Sequence, residues 1–213
     1  MKQQKKTAED TWTIREILQN QFEVVSMEAV EAMENALTAR EWKRGDAIAE
    51  QNEMCDRMIF ITSGIYRIMF QRNGKTDTLF FGGAGDVFTS FHSLCDKKPS
   101  ILRMEALMDC KGYEISHYKY RMLQDQYPDL VRFELGYLRM QLYMLEDYYN
   151  RRGLLSAQER YERYWDKRKG KLKAFSDKVF RKYFPLKVIA QYLSMTPEML
   201  SILRRRDVSN DKK

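Results

Sequence analysis

The sequence predicts an α+β chain with an N-terminal antiparallel β-roll of the double-stranded jelly-roll type, then one long helix, then a C-terminal helical unit. Three observations lead to this order. Short β-rich runs separated by turn signals fill much of the first half of the chain. An apolar heptad pattern begins after Pro128, and two short helical patterns meet at a tight break near Ser194.

The chain before the roll is predicted to be helical from about Thr13 to Ala39. Apolar residues recur there at three- and four-residue spacing, as expected for one buried helix face. These residues are Ile14, Ile17, Leu18, Phe22, Val30, Met33 and Leu37. The first dozen residues are charged and have no apolar run, so we expect a polar tail rather than a secretory signal.

The segment from about Trp42 to Ile115 is predicted to supply the strands. Apolar runs at 58–61, 65–70 and 78–81 are each followed by a turn signal. Asn73-Gly74 between two of these runs is a strong hairpin signal. Several short strands at this spacing favour an antiparallel barrel or roll.

A long helix is predicted to begin at Pro128-Asp129 and to run to about Arg152. Its apolar residues alternate at spacings of four and three, which makes a heptad seam across nearly three heptads. The seam consists of Val131, Leu135, Leu138, Leu142, Leu145 and Tyr149. We interpret it as a homodimer interface, and the alternative is a stripe that packs on the chain's own domain.

Residues 186–206 predict a helix-turn-helix, with Ile189, Ala190 and Leu193 on the inner face of the first helix. The second helix would begin at Thr196-Pro197, because threonine is a good N-cap and proline is tolerated at the first helical position. In such a motif the second helix lies in the DNA major groove. The predicted DNA contacts are Lys187, Thr196, Pro197, Glu198, Ser201, Ile202, Arg204 and Arg205.

These contact residues differ in what they can recognise. Glu198 can accept a hydrogen bond from a cytosine amino group, and Arg205 can reach a phosphate. Ile202 offers only apolar contact, for instance with a thymine methyl group. Only seven residues follow Arg206, so we expect little or no β-wing.

The charge of the chain is unevenly distributed. Residues 1–150 contain 19 Lys and Arg against 23 Asp and Glu, and residues 151–213 contain 18 against 7. The balances are therefore −4 and +11 within a net charge of +7. A basic half favours a polyanionic partner, because lysine and arginine release the counterions condensed on phosphates. The alternative is a solvated basic surface with no partner.

Aromatic residues are interleaved with the basic ones between residues 156 and 184. They are Tyr161, Tyr164, Trp165, Phe175, Phe180, Tyr183 and Phe184. We interpret them as the core of a small helical domain, and the alternative is a platform for stacking single-stranded bases. Residues 167–173 are predicted to form an exposed basic loop.

Several classes of protein are not supported by the sequence. No apolar stretch approaches the roughly 20 residues of a membrane span. Cys55, Cys95 and Cys110 match neither a disulfide framework nor a zinc site and are one too few for a four-thiolate cluster. The glycines at 82–85 follow a strand instead of opening a helix, so they are not read as a phosphate loop. We therefore predict no catalytic residues, no metal and no cofactor.

The order and spacing of five short segments can be compared with those of a known family. The segments are 43–46, 60–64, 73–75, 85–88 and 104–107. With the long helix and the C-terminal motif, they resemble the Crp/Fnr superfamily of cyclic-AMP-receptor-like transcription regulators over about residues 16–206. The resemblance implies a cyclic-nucleotide-binding-like roll over 13–127, a dimerisation helix over 128–152 and a helix-turn-helix DNA-binding domain over 153–213. It also implies a cytoplasmic homodimer that regulates transcription on double-stranded DNA, with RNA polymerase as a further partner.

The same resemblance implies a ligand cassette. It comprises Gly85, Asp86, Val87, Phe88, Thr89, Ser90, Phe91, Pro99 and Ser100. In the family a Glu of this cassette holds the ribose, and an Arg followed by Ser holds the cyclic phosphate. Here Ser90 and Pro99 occupy the Glu and Arg positions, and Leu145-Glu146 replace the Thr-Ser that the cyclic-AMP members offer to adenine. A buried phosphate needs a paired cation, so these departures argue against a cyclic nucleotide.

A second hypothesis for the whole chain is a ligand-binding or protein-interaction module with a vestigial helix-turn-helix. Three features favour it: Ile202 on the reading face, Ser194 in place of the usual glycine of the turn, and the missing wing.

Overall fold

The computed structural model describes residues 10–22, 24, 26–166 and 175–210. Within these residues the strands form two four-stranded antiparallel sheets, in the orders β1-β8-β3-β6 and β2-β7-β4-β5. The strands are β1 (Thr38–Trp42), β2 (Ala47–Ala49), β3 (Arg57–Ser63), β4 (Ile65–Arg72), β5 (Lys75–Gly83), β6 (Val87–Phe88), β7 (Arg103–Ala106) and β8 (Cys110–Ser116). The predicted antiparallel roll is confirmed.

The hairpin between β4 and β5 is tight. Asn73 and Gly74 have φ angles of 51° and 72°. Asparagine and glycine tolerate this left-handed region better than other residues, and a two-residue turn with both φ angles positive matches the twist of the flanking strands. Arg72 and Lys75 are therefore direct partners in the sheet.

The predicted helical segment from Thr13 to Ala39 is wrong at its C-terminal end. α1 (Ile14–Glu16) continues into a π-helical turn (Ile17–Gln21), and a second helix, α2 (Met27–Ala36), begins at the Ser26 cap. The chain then becomes extended, because Thr38 and Ala39 pair with Glu114 and Tyr113 of β8. A partner strand that lies far along the sequence overrides the local helical spacing.

The predicted long helix is confirmed as α5. α3 (Phe91–Asp96) lies in the cassette, α4 (His117–Gln126) follows the roll, and α5 (Asp129–Tyr149) continues into a π-helical turn (Asn150–Leu154). α5 buries Leu130, Phe133 and Tyr137 against the roll and the N-terminal helices. No helix in the described part of the chain is both long and apolar enough to cross a membrane.

The C-terminal unit is helical. It contains α6 (Ala157–Arg160), a π-helical turn (Tyr161–Asp166), α7 (Asp177–Tyr183), α8 (Leu186–Tyr192) and α9 (Pro197–Asn210). Tyr161, Phe175, Phe180 and Phe184 are buried in one apolar cluster, so the prediction that they form a core is confirmed for these four. Tyr183 is half-buried against the same cluster. The side chains of Tyr164 and Trp165, and the predicted loop at 167–173, lie outside the described residues.

The C-terminal unit packs directly on the second sheet. Phe81 of β5 contacts the rings of Phe184 and Tyr192, at centroid distances of 4.8 Å and 5.0 Å. Arg151 is fully buried at this junction and donates hydrogen bonds to the carbonyls of Leu79 (2.7 Å) and Tyr192. Its guanidinium also lies 3.8 Å from the centroid of the Tyr192 ring.

Candidate functional site

The C-terminal pair of helices, α8 and α9, is joined by a short turn. α8 buries Ile189 and Ala190, and α9 buries Leu200 and Leu203 against it. Ser194 in the turn has a φ of 53°, in the left-handed region that favours glycine. The turn is closed by the Met195 amide, which donates to the Ala190 carbonyl at 3.0 Å.

Two polar side chains hold this turn in place. The hydroxyl of Thr196 accepts the amide of Met199 at 3.2 Å, which is the predicted N-cap. Arg160 donates to the carbonyls of Leu193 (2.7 Å) and Ser194 (3.1 Å). The sequence analysis missed Arg160, because no local pattern connects it to a turn more than thirty residues away.

Most of the predicted DNA contacts are exposed on this pair of helices. Thr196, Glu198, Ile202, Arg204, Arg205 and Lys187 are exposed, and Pro197 and Ser201 are half-buried. The Ser201 hydroxyl donates within the helix to the Pro197 carbonyl (2.9 Å). Hydrogen bonds from its own backbone amide and from Thr196 lower the pKa of Glu198, so it stays charged at neutral pH.

Two residues of the roll position α8, and the sequence analysis did not identify them. Gln191 accepts hydrogen bonds from Thr78 (3.1 Å) and Arg67 (3.3 Å). Arg67 is in turn paired with Glu105 at 2.8 Å. With Arg151, these contacts fix the first helix of the pair to strands β4 and β5.

The predicted seam of α5 faces outward in this chain. Its six residues, Val131, Leu135, Leu138, Leu142, Leu145 and Tyr149, are between 37% and 65% exposed. The alternative, in which this stripe packs on the chain's own domain, is therefore wrong. A different face of the helix, with Phe133 and Tyr137, does that packing.

The predicted cassette lies mostly inside the roll. Gly85, Asp86, Val87, Phe88, Thr89, Ser90 and Ser100 are buried, Phe91 is half-buried and Pro99 is exposed. Asp86 accepts hydrogen bonds from the Tyr66 hydroxyl and the Gly83 amide, both at 2.9 Å. The Asp86 carboxylate therefore stabilises the turn between β5 and β6.

The cassette residues do not fit a cyclic nucleotide held as the family resemblance implies. The Ser90 hydroxyl caps α3 by accepting the Ser93 amide. The Ser100 hydroxyl is used by Leu102, donating to its carbonyl and accepting its amide. Phe88 and Met104 belong to the apolar core of the roll. No cation stands at the position that would hold the phosphate, since Pro99 replaces the family's Arg.

Thr89 joins the cassette to both neighbouring helices. Its amide donates to the Tyr137 hydroxyl of α5 at 3.2 Å, and its hydroxyl lies 2.7 Å from His117 Nε2 at the start of α4. The Thr89 hydroxyl also donates to the Arg57 carbonyl at 3.0 Å. Burial, followed by repulsion from Lys97, lowers the pKa of His117 to about 4, so its ring is neutral at pH 7.

Metal chemistry has no support in the described residues. They contain no group of three or more His, Cys, Asp and Glu side chains that could hold an ion. Cys55 and Cys110 are buried free thiols, and Cys95 is an exposed one.

Comparison with known proteins agrees with this geometry. The cyclic nucleotide-binding domain family matches residues 39–127. The search of curated proteins finds no match to the sequence. Among solved structures, the c-di-GMP responsive global regulator CLP of Xanthomonas campestris is 14% identical, with a TM-score of 0.71 over 87% of this chain and 93% of that one.

Two further solved structures have the same fold. FixK2 of Bradyrhizobium japonicum is 17% identical, with a TM-score of 0.66 over 82% of this chain and 86% of its own. A CooA mutant from Carboxydothermus hydrogenoformans is 16% identical, with a TM-score of 0.69 over 95% and 87%. At these identities the likeness concerns the fold, which here includes the roll, the long helix and the helices after it.

Proposed function

We propose that this chain, whose residues 39–127 form a cyclic nucleotide-binding domain within a Crp/Fnr-type fold, is a cytoplasmic homodimeric transcription regulator that binds double-stranded DNA. Its effector is not a cyclic nucleotide. In this proposal, the state of the roll shifts the seam between two α5 helices. That shift orients two copies of α9 toward successive major grooves, about one helical turn apart.

The observation that carries the DNA-binding proposal is the outer face of α9. The helix α9 buries Leu200 and Leu203 and exposes Arg204 and Arg205. It belongs to the segment 151–213, whose charge balance is +11. A helix whose apolar face is packed and whose arginines are exposed can bring those arginines to a polyanion. The resemblance of the fold to regulators gives this face its expected partner.

The dimer proposal rests on the exposed seam. A heptad row of six apolar residues on one side of α5 would remain in water in a single chain. Contiguous exposed apolar surface of this kind marks an interaction site, and the heptad period is that of a coiled-coil partner helix. A second copy of α5 satisfies both requirements.

Fluorescence anisotropy with a labelled duplex tests the DNA proposal without knowledge of the operator. We expect the affinity for a mixed-sequence duplex of about 30 base pairs to fall steeply between 50 and 200 mM salt. The double variant Arg204→Gln/Arg205→Gln should lower both the affinity and the salt slope, the slope by up to about two units. Arg44→Gln/Arg72→Gln, which removes two exposed arginines of the roll, is the matched control.

A salt-independent affinity, or one that the two pairs of substitutions change equally, would contradict the proposal.

The variant Leu142→Glu tests whether DNA binding depends on the dimer. Leu142 is exposed in the single chain, so the variant should fold normally, sediment as a monomer and bind DNA more weakly. A dimer that persists in this variant would place the interface elsewhere.

A second candidate function is a protein-interaction module with a vestigial helix-turn-helix. Met199 and Ile202, three residues apart on α9, are 41% and 42% exposed on the face proposed to read DNA. An apolar pair there suits a protein partner as well as a thymine methyl group. Unchanged nucleic-acid affinity in Arg204→Gln/Arg205→Gln would favour this alternative.

A further inference from the structure

A cavity of about 630 Å³ lies between α3, α4 and α5. Its apolar wall consists of Met58, Phe91, Leu94, Leu138, Tyr120 and Tyr137. Cavities of this size hold drug-sized molecules. None of the cassette positions that hold a nucleotide in the Crp/Fnr family, here Ser90, Pro99 and Ser100, lines it.

Charge is ordered along this cavity. Near the connection between α4 and α5 it is lined by Gln124, Asp125 and Glu134, and Gln124 donates a hydrogen bond to Glu134. Toward the cassette it is lined by Lys97 and Arg121. We call the side with Gln124, Asp125 and Glu134 the acidic end of the cavity, and the side with Lys97 and Arg121 the basic end.

The basic end also has a buried donor. Tyr137 is 2% exposed and lines the cavity beside Thr89, and its hydroxyl accepts a hydrogen bond from the Thr89 amide. None of the described residues accepts the proton of that hydroxyl. A carbonyl or carboxylate oxygen of a ligand would satisfy it, since buried donors are almost always paired.

We propose that this cavity is a binding site for a small zwitterion with an apolar or aromatic body, of the chemical class of a short apolar peptide. Its carboxylate lies toward Lys97, Arg121 and the Tyr137 hydroxyl, and its ammonium group lies toward Glu134 and Asp125. A ligand with negative charge only is disfavoured because two carboxylates line the other end. The proposal goes beyond the DNA-binding function and does not depend on it.

The position of the cavity connects it to the two parts of the chain that a regulator uses. Thr89 belongs to the cassette, and Leu138 belongs to the seam of α5. An occupant of the cavity touches both, so its binding free energy can favour one arrangement of the seam over another.

Isothermal titration calorimetry of the full chain with three related probes tests the proposal. The dipeptide Leu-Phe carries both charges, its N-acetyl form lacks the ammonium group, and its amide lacks the carboxylate. We expect Leu-Phe to bind with a Kd below 1 mM, and each blocked form to bind about tenfold more weakly, because each loses one charge-assisted contact.

Two single variants test which end of the cavity binds the carboxylate and which binds the ammonium group. Arg121→Gln should weaken Leu-Phe about tenfold and leave the affinity for the amide unchanged, whereas Glu134→Gln should weaken Leu-Phe and leave the affinity for the N-acetyl form unchanged. Arg139→Gln and Glu146→Gln, which change exposed residues of α5 outside the cavity, are the matched controls. Circular dichroism melting checks that all four variants are folded.

Two results would overturn the proposal. One is the absence of heat with Leu-Phe at millimolar concentration, which is also the result expected if a partner subunit fills the cavity. The other is binding that Arg121→Gln and Glu134→Gln change no more than their controls do. Neither result bears on DNA binding, because no nucleic acid is present in the titration.

Discussion

The backbone amide of Thr89 donates a hydrogen bond to the hydroxyl of Tyr137 at 3.2 Å. Thr89 lies within the predicted cassette, and Tyr137 lies in the middle of α5, on the face opposed to the exposed seam. The ring of Phe91 stacks on Tyr137 at a centroid distance of 5.9 Å. The cassette and α5 are therefore joined through one buried side chain, that of Tyr137.

Tyr137→Phe tests this connection. The change removes only the hydroxyl and leaves the Thr89 amide buried without its acceptor, so we expect the free energy of unfolding to fall by about 1–3 kcal/mol. Urea unfolding followed by circular dichroism measures the loss. Tyr143→Phe, on an exposed residue of the same helix, is the control and should change stability by less than about 0.5 kcal/mol. Equal effects of the two substitutions would show that the hydrogen bond does not stabilise the fold.

Arg151→Met should destabilise the junction between the roll and the C-terminal helices. The guanidinium satisfies the carbonyls of Leu79 and Tyr192, and methionine can satisfy neither. We expect a loss of about 3 kcal/mol, since hydrogen bonds from a charged donor disappear and buried acceptors are left unpaired. Thermal unfolding measured by calorimetry should show a lower Tm or a separate, earlier transition of the C-terminal unit.

The neighbouring Arg152→Met is the control for this variant. Arg152 is half-buried and donates to Asp77 and to the Tyr148 hydroxyl, each at 3.1 Å. Because solvent can replace these contacts in part, we expect a loss of about 1 kcal/mol. A control that destabilises the protein as much as Arg151→Met would contradict the special role of the buried arginine.

Ser194→Gly should stabilise the turn between α8 and α9. Ser194 has a φ of 53°, and none of the described residues forms a hydrogen bond with its buried hydroxyl. Glycine adopts this backbone conformation without steric cost, so we expect a gain of about 0.5–1 kcal/mol in the free energy of unfolding. Ser201→Gly makes the same chemical change inside α9, where glycine should cost about 0.5–1 kcal/mol. Shifts of the same sign in Tm would contradict this explanation.

His117 predicts a pH dependence of stability. Its pKa is lowered to about 4 in the folded protein, against about 6.5 in an unfolded chain. Between these values the unfolded state binds the additional proton, so stability is highest above pH 6.5 and falls as the pH is lowered toward 4. We expect this residue alone to cost about 2 kcal/mol between pH 7 and pH 5.

Urea unfolding at pH 5, 6 and 7 measures that cost. His117→Gln should show a smaller loss of stability at pH 5 than the wild-type chain. His92→Gln replaces the other histidine, which is exposed in α3, and should keep the wild-type slope. If the three proteins lose stability equally, the burial of His117 is not the cause.

The candidate site was predictable where it depends on periodicity. The heptad in α5 identified six of its exposed apolar residues, and the spacing of Leu200 and Leu203 identified the inner face of α9. The departures at Ser90 and Pro99 argued against a nucleotide; in the structure Ser90 caps α3 and Pro99 is exposed. The cavity between α3, α4 and α5 was not predicted, because it is assembled from residues 58 to 138 with no common period.

The amino-acid sequence by itself determined the features that depend on neighbours along the chain. The Asn73-Gly74 turn, the apolar period of α5 and the Thr196 cap are of this kind, because backbone dihedral preference and helical spacing act over a few residues. Only the tertiary structure decided where β1 begins, why Arg151 is buried and what Thr89 contacts. β1 pairs with β8, Arg151 donates to Tyr192 and Thr89 donates to Tyr137, and each partner comes from a distant part of the sequence. Burial strengthens such hydrogen bonds, and no local sequence pattern reveals which groups will be buried together.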